Sequence, residues 1–147
     1  RDYKLVIVGH GADKDKLKKL IKKLNLQNSI IIKNWQSNMS KYYSTSKLLV
    51  FPSLYEGLPN TLIDALNYSL PCITTKCSGA EDILSKNYNY FVKHDDTKKL
   101  SKAMSDAILN YNAIMNSTKK QHTKLKRFLV PNQVNKYLKF LTTILNK

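Results

Sequence analysis

At 147 residues, 42% of them hydrophobic and 24% charged, the chain has an ordinary globular mix that can form one domain with a real core, which excludes a disordered chain. No apolar stretch approaches the roughly 18 residues needed to cross a bilayer, and the N-terminal residues do not read as a secretory signal. The net charge of +15 favours anionic partners.

The first strand is expected at Lys4 to Val8, ending in Gly9-His10-Gly11. Lys14 stands where the third glycine of G-x-G-x-x-G belongs, so a nicotinamide site is not expected, although this backbone could approach a phosphate or a sugar. Helix spacing is clear from Asp13 to Leu24, where Leu17, Leu20, Ile21 and Leu24 recur on one face and lysines fill the other positions. Asp13-Lys14-Asp15 mimics a D-x-D metal motif, but acids are favoured at a helix start and it is read that way. A strand at Ser29 to Lys33 leads into the loop Asn34 to Asn38, whose Trp35 could stack on a planar ligand or simply belong to the core. A short helix at Met39 to Ser44 follows, then an apolar strand from Lys47 to Phe51 that stops at Pro52.

The stretch from Pro52 to Leu66, PSLYEGLPNTLIDAL, carries the most chemistry. It places Glu56 and a Gly57-Leu58-Pro59 turn in front of a helix expected from Asn60 to Tyr68. A helix start offers unpaired N–H groups and partial positive charge, so phosphate oxygens bind there readily. Asp64 lies one turn beyond Asn60 on the same face and can reach over that pocket. The competing reading, acids and turn residues favoured near any helix start, is weakened by the buried strand just upstream, since strand, loop and helix start make the phosphate-binding layout of open α/β sheets.

Beyond it come a strand at Pro71 to Thr74, a loop with Ser78 and Gly79, a helix at Ala80 to Ser85, a strand at Tyr90 to Val92 and a helix at Thr97 to Tyr111 capped by Asp95 or Asp96. The alternation implies an α/β fold, a Rossmann-like parallel sheet flanked by helices. Cys72 and Cys77 lack a C-x-x-C pair or a neighbouring His cluster, so reduced thiols and a cytoplasmic setting are expected. His10, His94 and His122 are scattered and offer no metal site; none is expected, and no cofactor. From Ala107 to Lys147 there is no acid but eight bases, Lys119, Lys120, Lys124, Lys126, Arg127, Lys136, Lys139 and Lys147. Val134, Tyr137, Leu138, Leu141 and Leu145 form a helical apolar stripe there, with Pro131 placed to start the helix. This tail either packs on the domain or meets an acidic membrane face or nucleic acid.

The residues from Glu56 to Asp64 resemble the E-x7-E motif of the retaining glycosyltransferases of family 4, which have the GT-B fold. The resemblance runs on through Leu5 to Gly11, Trp35 to Tyr43 and Pro71 to Leu84, covering roughly residues 3 to 110 in order. It implies a domain that binds a nucleotide diphosphate-sugar for transfer to a glycan or lipid-linked acceptor in cell-envelope polysaccharide synthesis. Glu56 would then be catalytic, facing the donor sugar. Gly9, Gly11, Trp35, Gly57, Leu58, Pro59, Asn60, Thr61, Leu62, Asp64, Ser78 and Gly79 would bind substrate. The family usually has Glu where this chain has Asp64, shorter by one methylene. Its lipid-linked acceptors favour an acidic membrane surface over nucleic acid as partner of the tail; a basic binding module without catalysis is the alternative.

The resemblance also implies an N-terminal acceptor domain, a phosphate-gripping loop and one further strand upstream of Lys4, so this chain by itself is expected to be inactive. Residues 1–111 would be the nucleotide-sugar domain without its first strand, and residues 112–147 a basic helical extension. Without that central strand, the strands at Lys4 to Val8 and Lys47 to Phe51 are expected to pair directly, or through another chain, to avoid buried unpaired backbone groups.

Overall fold

The computed structural model describes residues 3–145, so Lys147, counted among the tail bases, lies outside the described residues. In chain order the elements are β1 (Leu5–Val8), α1 (Lys14–Lys23), β2 (Ile30–Lys33), α2 (Ser40–Thr45), β3 (Leu49–Phe51), α3 (Asn60–Asn67), β4 (Cys72–Thr75), α4 (Ser78–Leu84), β5 (Phe91–Val92), α5 (Thr97–Leu109), α6 (Tyr111–His122), a 3₁₀ segment (Thr123–Phe128) and α7 (Val130–Leu145). They form two compact units, Arg1–Lys41 and Tyr42–Lys147.

In the first unit β1 and β2 run parallel, with Leu5 opposite Ile30 and Val8 opposite Lys33. The helix between them, α1, makes the crossover that a parallel pair requires. Its expected apolar stripe is present but not enclosed: Ile21 is half-buried while Leu17, Leu20 and Leu24 are exposed. A two-stranded sheet with one helix has little surface with which to cover it.

The second unit holds the core. Its sheet is parallel in the order β3-β4-β5, and every residue of the central β4 is buried. Such a strand is covered on both faces, which is why its sequence shows no apolar/polar alternation. Ile73 packs with Val92, Ala107 and Ile114, and α3 and α4 add the fully buried Leu62, Leu66, Ile83 and Leu84. Burial pushes the Cys72 thiol up to about 12, and its Sγ donates to the Leu70 carbonyl at 3.2 Å.

Three expectations change here. The direct ladder between the strands at Lys4 to Val8 and Lys47 to Phe51 is not formed: β1 pairs with β2, and β3 with β4. The argument for that ladder required buried strand edges, but Leu5 and Val6 are exposed, so water can satisfy the open β1 groups. The helix expected from Thr97 to Tyr111 breaks at Asn110, where φ is −111° and ψ is 47°, and α6 starts anew. Finally, the first part of the basic stretch belongs to the interior: Ile114, Thr118, Gln121 and Leu125 are buried, with α6 packed on α3.

Candidate donor-binding site

Two buried threonines of β4 fix the loop that leaves β3. Thr74 Oγ1 donates to the Phe51 carbonyl at 2.9 Å, and Thr75 Oγ1 donates to the Ser53 carbonyl. The backbone entering the loop is thereby tied to the central strand. Ser53 then uses its own hydroxyl on the site, donating to Glu56 Oε1 at 2.8 Å. Glu56 is half-buried, its carboxylate held at the carboxyl end of a parallel strand, where open α/β sheets bind their ligands.

The turn after Glu56 is shaped by a contact between two glycines. A Cβ on Gly79, in the first turn of α4, would overlap the Gly57 carbonyl oxygen and stand 2.8 Å from Pro59 Cδ. Only glycine lets α4 seat against the Gly57-Leu58-Pro59 turn. Gly79 is thus buried within this packing while Ser78 beside it is exposed, and both belong to α4 rather than to the loop expected from sequence.

Pro59 is buried and acts as N-cap of α3 with φ −74° and ψ 95°, and no side chain caps that helix end. The Leu62 N–H donates to the Pro59 carbonyl at 2.9 Å, and the Leu62 side chain is in the core. Pro59 has no N–H at all, so the donors that the helix start can offer come from Asn60 and Thr61. Asp64 is exposed one turn further on. It stands beside Tyr43, a buried residue of α2 absent from the expected site. The Tyr43 hydroxyl is held above its ordinary value by burial and then by the Asp64 charge, against a hydrogen bond with the Thr61 side chain. The Tyr43 and Tyr68 rings, 5.7 Å apart, brace α2 against the end of α3.

In the first unit the expected residues lie at the carboxyl ends of β1 and β2. Gly9 has φ +150°, a conformation that favours glycine, and donates to the Lys33 carbonyl at 3.1 Å. The Gly11 carbonyl accepts from the Lys14 N–H at 3.2 Å, while Lys14 Nζ reaches Asn34 Oδ1 in the loop after β2. Trp35 in that loop is 64% exposed, which removes it from the core and leaves its ring face free for stacking. Gln36 steadies the loop by donating to the Asn34 and Trp35 carbonyls, both at 3.1 Å. Among the described residues no group of three or more His, Cys, Asp or Glu side chains is arranged to hold a metal ion.

Residues 1–125 match the family model for glycosyl transferases group 1. The chain belongs to that family. A glycosyltransferase of Methanocaldococcus jannaschii with no assigned specificity is 47% identical over 93 residues, 63% of this chain and 23% of the relative. The N-acetylgalactosamine-N,N'-diacetylbacillosaminyl-diphospho-undecaprenol 4-alpha-N-acetylgalactosaminyltransferase of Campylobacter jejuni is 39% identical over 83 residues, 56% of this chain and 23% of the relative. Staphylococcus aureus TarM, solved with fondaparinux, alpha-GlcNAc-glycerol and UDP, superposes with a TM-score of 0.82 at 23% identity, over 92% of this chain and 28% of TarM. This group 1 glycosyltransferase domain therefore has the α/β architecture of GT-B enzymes, and its match spans about a quarter of the length of those relatives.

A change at Ser53 separates the role of Glu56 from that of the helix start. Ser53→Ala removes the hydroxyl bonded to Glu56, and is expected to cost about 1 kcal/mol of stability. Calorimetry should show weaker binding of a nucleotide-sugar with little change for the bare nucleotide. Equal loss for both ligands would place Glu56 away from the sugar.

Proposed function

We propose that this domain binds the nucleotide diphosphate-sugar donor of a retaining transferase that extends a glycan or lipid-linked acceptor in cell-envelope polysaccharide synthesis. The observation that carries this reading is the Glu56 carboxylate, tied by Ser53 to the carboxyl end of β3 directly before the uncapped start of α3. In this reading the diphosphate lies on the N–H groups of Asn60 and Thr61, and Asp64 accepts hydrogen bonds from the ribose hydroxyls. Glu56 orients the sugar hydroxyls and stabilises positive charge at the anomeric carbon as the bond to the leaving diphosphate breaks. Ser78, exposed beside the turn, contacts the sugar, and Gly79 supports the turn rather than touching the ligand. For the first unit, Trp35 is assigned to the base, with Gly9 and Gly11 as close-approach backbone.

Family membership and the UDP bound to TarM support this choice over a non-catalytic basic module. The test is thermal stability measured against a panel of nucleotide-sugars, where a ligand at about 100 times its Kd adds roughly 2.7 kcal/mol. A shift with a sugar nucleotide is expected, and absence of any shift across the panel would remove the reading. The 147-residue chain is also expected to bind donor without sustained transfer, because its match covers only 23% of the Campylobacter relative. Steady release of nucleotide diphosphate with an added acceptor would contradict that.

A further inference from the structure

We propose that α7 is a membrane-surface helix that lays this domain against an anionic lipid bilayer. No residue of α7 is buried. Val134, Tyr137, Leu138, Leu141 and Ile144 share one face at helical spacing, and all are 47% to 68% exposed. The helix is anchored mainly at its start, through the 3₁₀ segment and the Gln133 amide that donates to the Arg127 carbonyl. An apolar stripe of this length facing water marks an interaction surface.

Charge identifies what covers it. Residues 107–147 contain no carboxylate side chain, and α7 carries Lys136 and Lys139 on the side away from the apolar stripe. Lys119, Lys120, Lys124, Lys126 and Arg127 are exposed just before it. Amphipathic helices with a basic polar face bind acidic headgroups while their apolar face enters the acyl boundary. A second copy of this chain is a poor occupant, since two such helices would bring lysines together with no carboxylate in either to balance them. Spanning is also excluded for α7: its 16 residues reach roughly 24 Å, short of the ~30 Å hydrocarbon core. Among the described residues no helix is long and apolar enough to cross a membrane. The inference rests on α7 and the acid-free tail, and does not depend on the donor-site reading.

The test is co-sedimentation of the 147-residue chain with phosphatidylcholine vesicles, with and without phosphatidylglycerol, at low and high salt. Binding is expected only with phosphatidylglycerol and should weaken in high salt. Leu138→Asp with Leu141→Asp should lower partitioning about tenfold or more, and Lys136→Glu with Lys139→Glu by at least about fivefold for each base. All four side chains are exposed, so unchanged thermal unfolding should accompany both losses. Three results would overturn the proposal: no binding to phosphatidylglycerol vesicles, full binding by the double Asp variant, or a dimer of the wild type that the double Asp variant abolishes. Because nucleotide binding is measured separately, failure of the donor reading leaves the vesicle result standing.

Discussion

Asp64→Ala is expected to weaken UDP binding by about 1.5–3 kcal/mol, the range for hydrogen bonds to a charged group. Asp64 is exposed on α3, one turn after the N–H groups assigned to the diphosphate, so its removal leaves no cavity and should hardly change folding. Asp64→Glu extends the carboxylate by one methylene, a gain of roughly 1.3–1.5 Å of reach, and should keep or improve affinity. Calorimetry with UDP on the three proteins checks this. Identical affinity for wild type and Asp64→Ala would move the ribose contact elsewhere.

Gly79→Ala is expected to be the most damaging small change in this domain. The added methyl would meet the Gly57 carbonyl, 2.7 Å from its carbon, and Pro59 Cδ at 2.8 Å, so backbone rather than a flexible side-chain tip must yield. Overpacking of this kind costs typically about 1–3 kcal/mol and occasionally more. The displaced turn is the one that presents Glu56 and the start of α3, so nucleotide-sugar affinity should fall together with stability. Denaturant unfolding and calorimetry on the same sample would show the two losses; a variant with wild-type stability would mean that α4 can shift without strain.

Much of this site is legible in the sequence because its signals are local. The apolar run into Pro52, the Gly57-Leu58-Pro59 turn and the start of α3 at Asn60 follow from backbone preferences of neighbouring residues. What is not legible depends on residues far apart in the chain. Gly79 reads as loop punctuation until α4 is seen packed against Gly57. The hydroxyls of Thr74 and Thr75, more than 20 positions from their acceptors at Phe51 and Ser53, leave no local trace because a buried strand tolerates threonine either way. Tyr43 had a partial signal, since the resemblance included the helix that holds it, but its place beside Asp64 is tertiary. The break at Asn110 was hidden because apolar spacing continues from Leu109 to Tyr111 and Ile114 across it.

The measurement that tests the central claim most directly is a titration of isotope-labelled protein with a UDP-sugar, followed by amide NMR. The account predicts that the largest shifts fall on Glu56 to Thr61, including the Asn60 and Thr61 N–H groups at the start of α3, with further shifts in the loop that carries Trp35. Shifts confined to the lysine-rich segment from Lys119 to Lys139, with the Glu56 loop unmoved, would contradict it and show the ligand held by general charge attraction alone.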